Sequence, residues 1–560
     1  MKPTTATTPA NLADLIESIQ ASVLSAIQKR DSVSAIRSAA KALGADPKDL
    51  PVNVKLLRVR LQEVCPEALG MTKGRWNNVR SLLNRALQLH TKVMTSRQTV
   101  KMTPAWRALA ELLPKSQRLK ITSLLRAVSA RGVTPDTVTL PDLEAFRDEI
   151  MDNRLRSNPE STWSGIVWMW NKCAEQIPGW PPLTIPRVDS RIVYTRPYSD
   201  FPDSLKADVD AYLKVLSGKV LDDDGPVRAL RPITLKMREG QFRAAAAALV
   251  ATGTPANQIR PLADLARYEP MRDILEHTLT RGTGDHTAGA FNMANALKNA
   301  ARYWVKVEPD ELKKISRMAA KLSPKSKGMT TKNRLRLIPL NDPNEARKFL
   351  DLPLQLKKQV MATDRPTVVT AITAQLAVAI SILQIIPIRM SNLAKIDIRE
   401  HLHERGQRVF LQIPPDEVKN GLPYEMEVTK ETADLISWYC RDYRDLLSRQ
   451  PTDALFPGRD GQPKAPSDLG RQISARVKQH LGWPVNPHLF RHIAAKMYLD
   501  LRPGEYATVS RILNHKSVQT TMTAYTGAES ISAGRHFQSL IADLRAKTAP
   551  LQKPRRRVSK

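Results

Sequence analysis

Four separated stretches in the C-terminal half of the chain carry side chains suited to a phosphate ester. Arg389, in IIPIRMSNLAKID, stands directly behind a long uncharged run, where its charge must find a partner. Lys419 lies in VKN, between two short strand-like segments. NPHLFRHIAAKMYL sets His488 and Arg491 three residues apart, facing the same way at a helix start. RILNHKSVQTTMTAYTG carries His515 and then Tyr525. Arginine binds non-bridging phosphate oxygens bidentately and never loses its proton, so Arg389 and Arg491 suit a clamp on a phosphorus gathering negative charge. A tyrosine with its ordinary pKa near 10 is only about one part in a thousand ionised at pH 7, so Tyr525 needs neighbouring positive charge or a base to act as a nucleophile.

Each of these residues has a plainer reading on its own. An arginine behind a core helix usually makes a structural ion pair, and a lysine on a turn is ordinary surface. His488 and His492, at i and i+4, could hold zinc, but no third ligand suggests itself. His515 alone reads as a cap or core histidine, and Tyr525 alone as a surface tyrosine. Only the coincidence of six placements outweighs these readings.

Taken together, HLFRH, then LNH, then TTMTAYTG resemble the tyrosine recombinase (phage integrase) family. The catalytic set of that family runs Arg, Lys, His-x-x-Arg, His or Trp, then Tyr, and its members match Arg389, Lys419, His488, Arg491, His515 and Tyr525 in chain order. The resemblance covers residues 335–546 and extends to 200–322 as the helical domain such enzymes place before the catalytic one. It implies a nucleophilic Tyr525 that forms a 3′-phosphotyrosine link, with His488 accepting its proton. His515 would hydrogen-bond the scissile phosphate, and Lys419 would protonate the leaving 5′-hydroxyl as general acid. Because the link conserves bond energy, no cofactor, metal or ATP is implied. Two departures stand out. The step from His515 to Tyr525 is one residue longer than usual. Asn392 occupies a position, three after the first Arg, where the family more often has an acidic residue. Tyr498 and Tyr506 precede His515 and do not compete for the nucleophile's place.

The elements that must position this set belong to a long, basic chain. At 560 residues it should hold about three to four domains. Its 86 Lys and Arg against 55 Asp and Glu give a net charge of +31, which points to double-stranded DNA as the partner. A hydrophobic share of 42% excludes wholesale disorder. Cys65, Cys173 and Cys440 form no CxxC or CxxH pattern, which excludes a disulfide scaffold, gives no support to a structural zinc site and fits a reducing cytoplasm. The first residues lack the apolar run of a signal peptide. Pro366 to Ile388 carries no charge but is dotted with Thr, Ser and Gln and runs into Arg389, which predicts a buried core helix of a soluble protein rather than a membrane span.

Before residue 330 the spacing is helical almost throughout. A weak repeat sets a helix-ending glycine (Gly44, Gly132, Gly253) ahead of an aromatic that opens another helix (Trp76, Trp163, Phe291). The expected fold class is mainly α and multidomain: tandem helical (SAM-like) DNA-binding bundles, then a mixed, mostly α catalytic domain with a small β-hairpin or sheet. The expected domains are an N-terminal helical unit (1–100), a second unit (101–196), a core-binding domain (200–322), a basic linker (323–334), the catalytic domain (335–546) and a basic disordered tail (547–560). A Pro-rich linker runs from 179 to 203. RVFLQI and YEMEV predict a hairpin with Lys419 in its turn. Ile531, Phe537, Leu540, Ile541 and Leu544 share one face of a final helix, which either packs on its own domain or, as the resemblance suggests, docks on a neighbouring subunit.

The leading functional reading is a site-specific DNA recombinase or integrase of a mobile genetic element, acting as a tetramer on two duplexes. It would be cytoplasmic, bacterial and nucleoid-associated, and could use an accessory directionality or DNA-bending protein. Its competitors are a type IB topoisomerase, which would relax supercoils as a monomer, and a recombinase-derived DNA-binding protein without catalysis.

Overall fold

The structure is a computed structural model and describes residues 9–90, 101–153, 155, 158–186, 195–218, 229–281, 287–323, 328–525 and 530–548. Parts of both expected linkers and the last ten residues lie outside the described residues. The architecture is mainly helical with one three-stranded antiparallel sheet. It divides into two compact units, residues 188–327 and the remainder of the chain.

The unit 188–327 is a helical bundle built on Asp203–Leu216, Pro232–Ala251, Tyr268–Thr280, Thr287–Ala300 and Pro309–Lys321. Its core gathers Leu205, Val209, Tyr212, Phe242, Leu265, Ile274 and Leu297. The indole N–H of Trp304 donates to Asp208 at 2.9 Å, which fixes the polar edge of that aromatic cluster.

The other unit contains three separate apolar clusters. Leu12, Leu15, Ile36, Leu57, Trp76 and Leu83 form the first, from helices that include Leu12–Ala21 and Ala26–Ala42. Both of these helices begin with a capping box, Asn11 with Asp14 and Ser25 with Gln28, so orphan N–H groups are satisfied from both directions. The second cluster centres on Trp106, Trp170 and Trp180, whose ring centroids lie 5.4–6.1 Å apart in tilted and edge-on arrangements. The third and largest cluster spans residues 329–525.

At the centre of that third cluster runs the helix Val368–Ile385, started by a Thr367–Thr370 capping box. It is the one described helix long and apolar enough to cross a membrane, and 72% of it is buried inside the protein. Its polar residues are paired as burial demands. Lys464 donates to Gln375 Oε1, Gln375 in turn donates to the Tyr439 hydroxyl at 3.2 Å, and Ser381 and Thr432 share a hydrogen bond of 2.8 Å. Pro343–Met361 and Lys430–Asp442 contribute Phe349, Leu352, Leu356, Leu435 and Tyr439 to the same core.

The expected hairpin is present as two of the three strands. Strand β1 (Leu402–Arg405) pairs with β2 (Arg408–Ile413), which pairs with β3 (Tyr424–Val428), with Leu411 opposite both Leu402 and Met426. LHER has no apolar alternation, so β1 was not predicted. Its pairing follows from the tight turn at Gly406, where φ is +64°.

Candidate active site

The uncharged helix ends at Ile385, and Arg389 follows as the N-cap of the short helix Met390–Ala394. Its half-buried guanidinium lines a small cleft with Ile388, Asn392, Ile413, Val418, Tyr424, Arg491, Leu513 and Asn514. Burial pushes the Arg389 pKa down while Tyr424 pushes it up, and a guanidinium stays charged under either influence. Among the described residues no carboxylate pairs with Arg389, so the plain reading of a structural ion pair does not apply.

Arg491 lies one turn into the helix Pro487–Leu501, which Asn486 caps through its side chain. Only 5% exposed, it donates from Nη1 to the Pro387 carbonyl at 2.6 Å and from Nη2 to the Leu513 carbonyl at 2.5 Å. Those carbonyls belong to residues two before Arg389 and two before His515. One side chain therefore ties together the loops that present two other members of the set. Three guanidinium N–H groups remain for a ligand oxygen.

His488 sits at the first turn of the same helix, and its pKa is lowered by desolvation and by the neighbouring charges of Arg491 and Arg389. His515 shares a 2.8 Å hydrogen bond with the buried Thr521 through Nδ1. Burial, Arg491, Arg389 and His488 push the His515 pKa down to about 4. Near neutral pH the His515 imidazole is thus uncharged, able to accept a proton or to donate one hydrogen bond, and the lowering at His488 favours its neutral form in the same way.

Tyr525 is the last residue of the helix Val518–Tyr525 and is 3% exposed. Burial raises its pKa to about 12, opposed by Arg491. Its ring meets that of His492 edge-on at 5.4 Å between centroids, and His492 meets His488 at 5.1 Å. His492 is 8% exposed, its Nδ1 has no hydrogen-bond partner, and burial, His488, Arg491 and His515 depress its pKa to about 4.

The structure thus brings Arg389, Arg491, His488, His515 and Tyr525 into one electrostatic neighbourhood. Lys419 is exposed on the turn between β2 and β3, bracketed by Val418, which lines the cleft, and Asn420, whose amide donates to the Asn514 carbonyl at 2.7 Å. Three participants were not picked out from the sequence. Tyr424 fills the wall between the two arginines, and its hydroxyl donates to Ile512 O at 2.7 Å, which occupies its proton. Asn514 takes a positive φ of 47°, a conformation asparagine tolerates, and its amide reaches Leu422 O and Pro423 O across the hairpin. His492, which its spacing marks only as a zinc ligand, lies between His488 and the tyrosine. The LNH string and the HLFRH string held the last two in plain view, whereas Tyr424 read as an ordinary strand residue.

One cluster among the described residues has the spacing of metal ligands: Glu400, His401 and Glu417. The Asp397 N–H donates to His401 Nδ1 at 2.9 Å, so the neutral ring carries its proton on Nε2, the atom facing Glu417. That protonated nitrogen has no lone pair for a cation.

These features define a mainly helical protein with a small sheet and a cationic cleft beside a buried tyrosine. Residues 355–530, which contain all six expected site residues, match the model of the Phage integrase family, and this segment is a phage integrase family domain. No curated protein matches the chain. Among solved structures the chain is similar to a lambda integrase dimer bound to a COC′ core site, at 14% identity and a TM-score of 0.37, over 58% of this chain and 95% of that one. It is also similar to the Tn1549 transposon integrase in complex with transposon right end DNA, at 13% identity and a TM-score of 0.37, over 59% of this chain and 99% of that one. A third is the XerH site-specific recombinase bound to difH substrate, at 12% identity and a TM-score of 0.32, over 62% and 97%.

Proposed function

We propose that the chain is a site-specific DNA recombinase that cuts and rejoins strands through a 3′-phosphotyrosine link, in the service of a mobile genetic element. The observation that carries this reading is the gathering of Arg389, His488 and His515 about Arg491, which in turn acts on the buried Tyr525. In the reaction, Tyr525 Oη bonds to phosphorus and the bond from phosphorus to the 5′-oxygen breaks. Arg389 and Arg491 hold the non-bridging oxygens as charge builds there. His488 accepts the phenolic proton, His515 donates from Nε2 to the phosphate, and Lys419 supplies a proton to the departing 5′-oxygen. One ester replaces another, so a 5′-hydroxyl from a second strand reverses the sequence without an external energy source.

Burial keeps the Tyr525 phenol protonated in the free chain, so its attack needs a base to take that proton. Self-association on DNA, up to a tetramer, fits the final helix Ser530–Thr548, which leaves Phe537, Leu540 and Leu544 exposed at 63, 48 and 54%. An excess of +31 charges supplies the phosphate contacts and makes binding strongly salt-dependent.

The test is to mix the purified chain, without metal or ATP, with duplexes from the DNA flanking its own gene, nicked near candidate crossovers. A covalent protein–3′-DNA band on denaturing gels, absent for Tyr525→Phe, is the expected result. Tight binding without that band refutes the catalytic reading in favour of a binding protein. Relaxation of plasmid without strand exchange would assign a topoisomerase.

A further inference from the structure

The turn that carries Lys419 is tied down on both sides of the lysine. On one side, Asn392, 7% exposed on the short helix after Arg389, donates from Nδ2 to the Glu417 carbonyl at 3.2 Å. The Glu417 side chain is met by His401, 4% exposed, whose protonated Nε2 lies 3.4 Å from Glu417 Oε1. On the other side, Asn420 donates to Asn514 O, and Asn514 returns a 3.2 Å hydrogen bond to Leu422 O. Between these anchors only Val418, buried in the cleft wall, and the exposed Lys419 remain. A ten-residue connection between β2 and β3 would otherwise sample many conformations, and a proton donor that samples many positions loses most of its effect.

We infer that Asn392 is a positioning residue for Lys419: its amide ties the Glu417 side of the hairpin turn to the Arg389 segment, and this hydrogen bond, beside the Asn420–Asn514 anchor, sets the proton donor relative to the phosphate clamp. The inference rests on reading Lys419 as the general acid. The donor character of Asn392 is the point of the arrangement. A carboxylate there would place two acceptors 3.2 Å apart, a repulsive contact inside a buried site. In this chain, then, an amide does what an acidic residue could not, because its partner is a backbone carbonyl.

The experiment uses the full chain and the nicked duplex whose cleavage position the Tyr525 attachment assay maps. A second version of that duplex has sulfur in place of the 5′-bridging oxygen. A thiolate, with a pKa near 8.5, leaves without being protonated, so a missing general acid no longer matters. Covalent attachment is timed for wild type, Lys419→Ala, Asn392→Ala and Asn392→Asp on both substrates, with DNA binding measured alongside. On the oxygen substrate we expect Lys419→Ala to slow attachment about 10²- to 10⁴-fold and both Asn392 variants about 10- to 100-fold, with binding unchanged. On the sulfur substrate all three should come within about threefold of wild type. If sulfur rescues Lys419→Ala but not Asn392→Ala, Asn392 acts on something other than the proton donor and the inference is overturned. If Asn392→Asp equals wild type on oxygen, the donor argument is wrong. If sulfur fails to rescue Lys419→Ala itself, the general-acid reading falls first, and the inference with it.

Discussion

Replacing Arg491 by Lys keeps the charge and removes the geometry, which separates two jobs the side chain holds at once. Its guanidinium makes charge-assisted hydrogen bonds to Pro387 O and Leu513 O from a site only 5% exposed. Hydrogen bonds to a charged group contribute about 1.5–3 kcal/mol each, and a single ammonium can recover one of them at most. Arg491→Lys should therefore destabilise the phage integrase domain by about 2–4 kcal/mol. Arg389 makes no such bridge and is half-buried at the cleft, so Arg389→Ala should cost less than about 1 kcal/mol of stability while abolishing covalent attachment. Amide hydrogen exchange in the core helix Val368–Ile385 reads the difference directly. A loss of about 3 kcal/mol accelerates exchange roughly a hundredfold, since about 1.4 kcal/mol is a factor of ten. If exchange in Arg491→Lys stays within about threefold of wild type, or Arg389→Ala matches it, the assignment of Arg491 as the tie between the two loops is refuted.

Acid should weaken the fold through His492. Above pH 6.5 the ring is neutral whether folded or unfolded, and full stability is present. Between 6.5 and its native value of about 4 the unfolded chain binds a proton that the native state refuses, so stability falls by roughly 3 kcal/mol over that window and no further below it. Urea unfolding at stepped pH should show this decline, to which His515, also held near 4, adds in the same window, so His492→Leu should remove the His492 share and leave that of His515. Gly328 has φ +111°, and a Cβ there would lie 2.6 Å from the backbone oxygen of Thr523, two residues before Tyr525. Gly328→Ala should displace the tyrosine's helix, costing about 1–3 kcal/mol of stability and slowing attachment at unchanged DNA affinity. A variant with wild-type attachment would count against that contact.

What could be read in advance was whatever depends on residue type and local spacing. Arg389 behind its uncharged run, the His488–Arg491 pair at a helix start and the β2–β3 alternation are local patterns, and local physics places them. The buried character of Val368–Ile385 was legible too, because its Thr, Ser and Gln positions demanded partners that only a protein core supplies. Tertiary pairings were not legible. Strand β1 forms on an existing edge rather than from its own propensity. Tyr424 and Asn514 enter the site because β3 and the loop before His515 fold against each other across 88 to 92 positions of sequence, a closure no local pattern announces. The tie from Arg491 to Pro387 likewise spans 104 positions.

The core helix has a consequence for how the chain is made. With a mean hydropathy of 2.0, Val368–Ile385 leaves the ribosome as the described helix most prone to be handled as membrane protein or to aggregate. Pro343–Met361 is synthesised before it and can cover one flank at once. Lys430–Asp442, which supplies Thr432 and Tyr439 to the other flank, follows only after a delay of about three to ten seconds at ordinary elongation rates. During that interval the growing chain has half of its largest core built and the other half bare, which makes residues 386–429 the stretch where slow translation or chaperone contact would matter most.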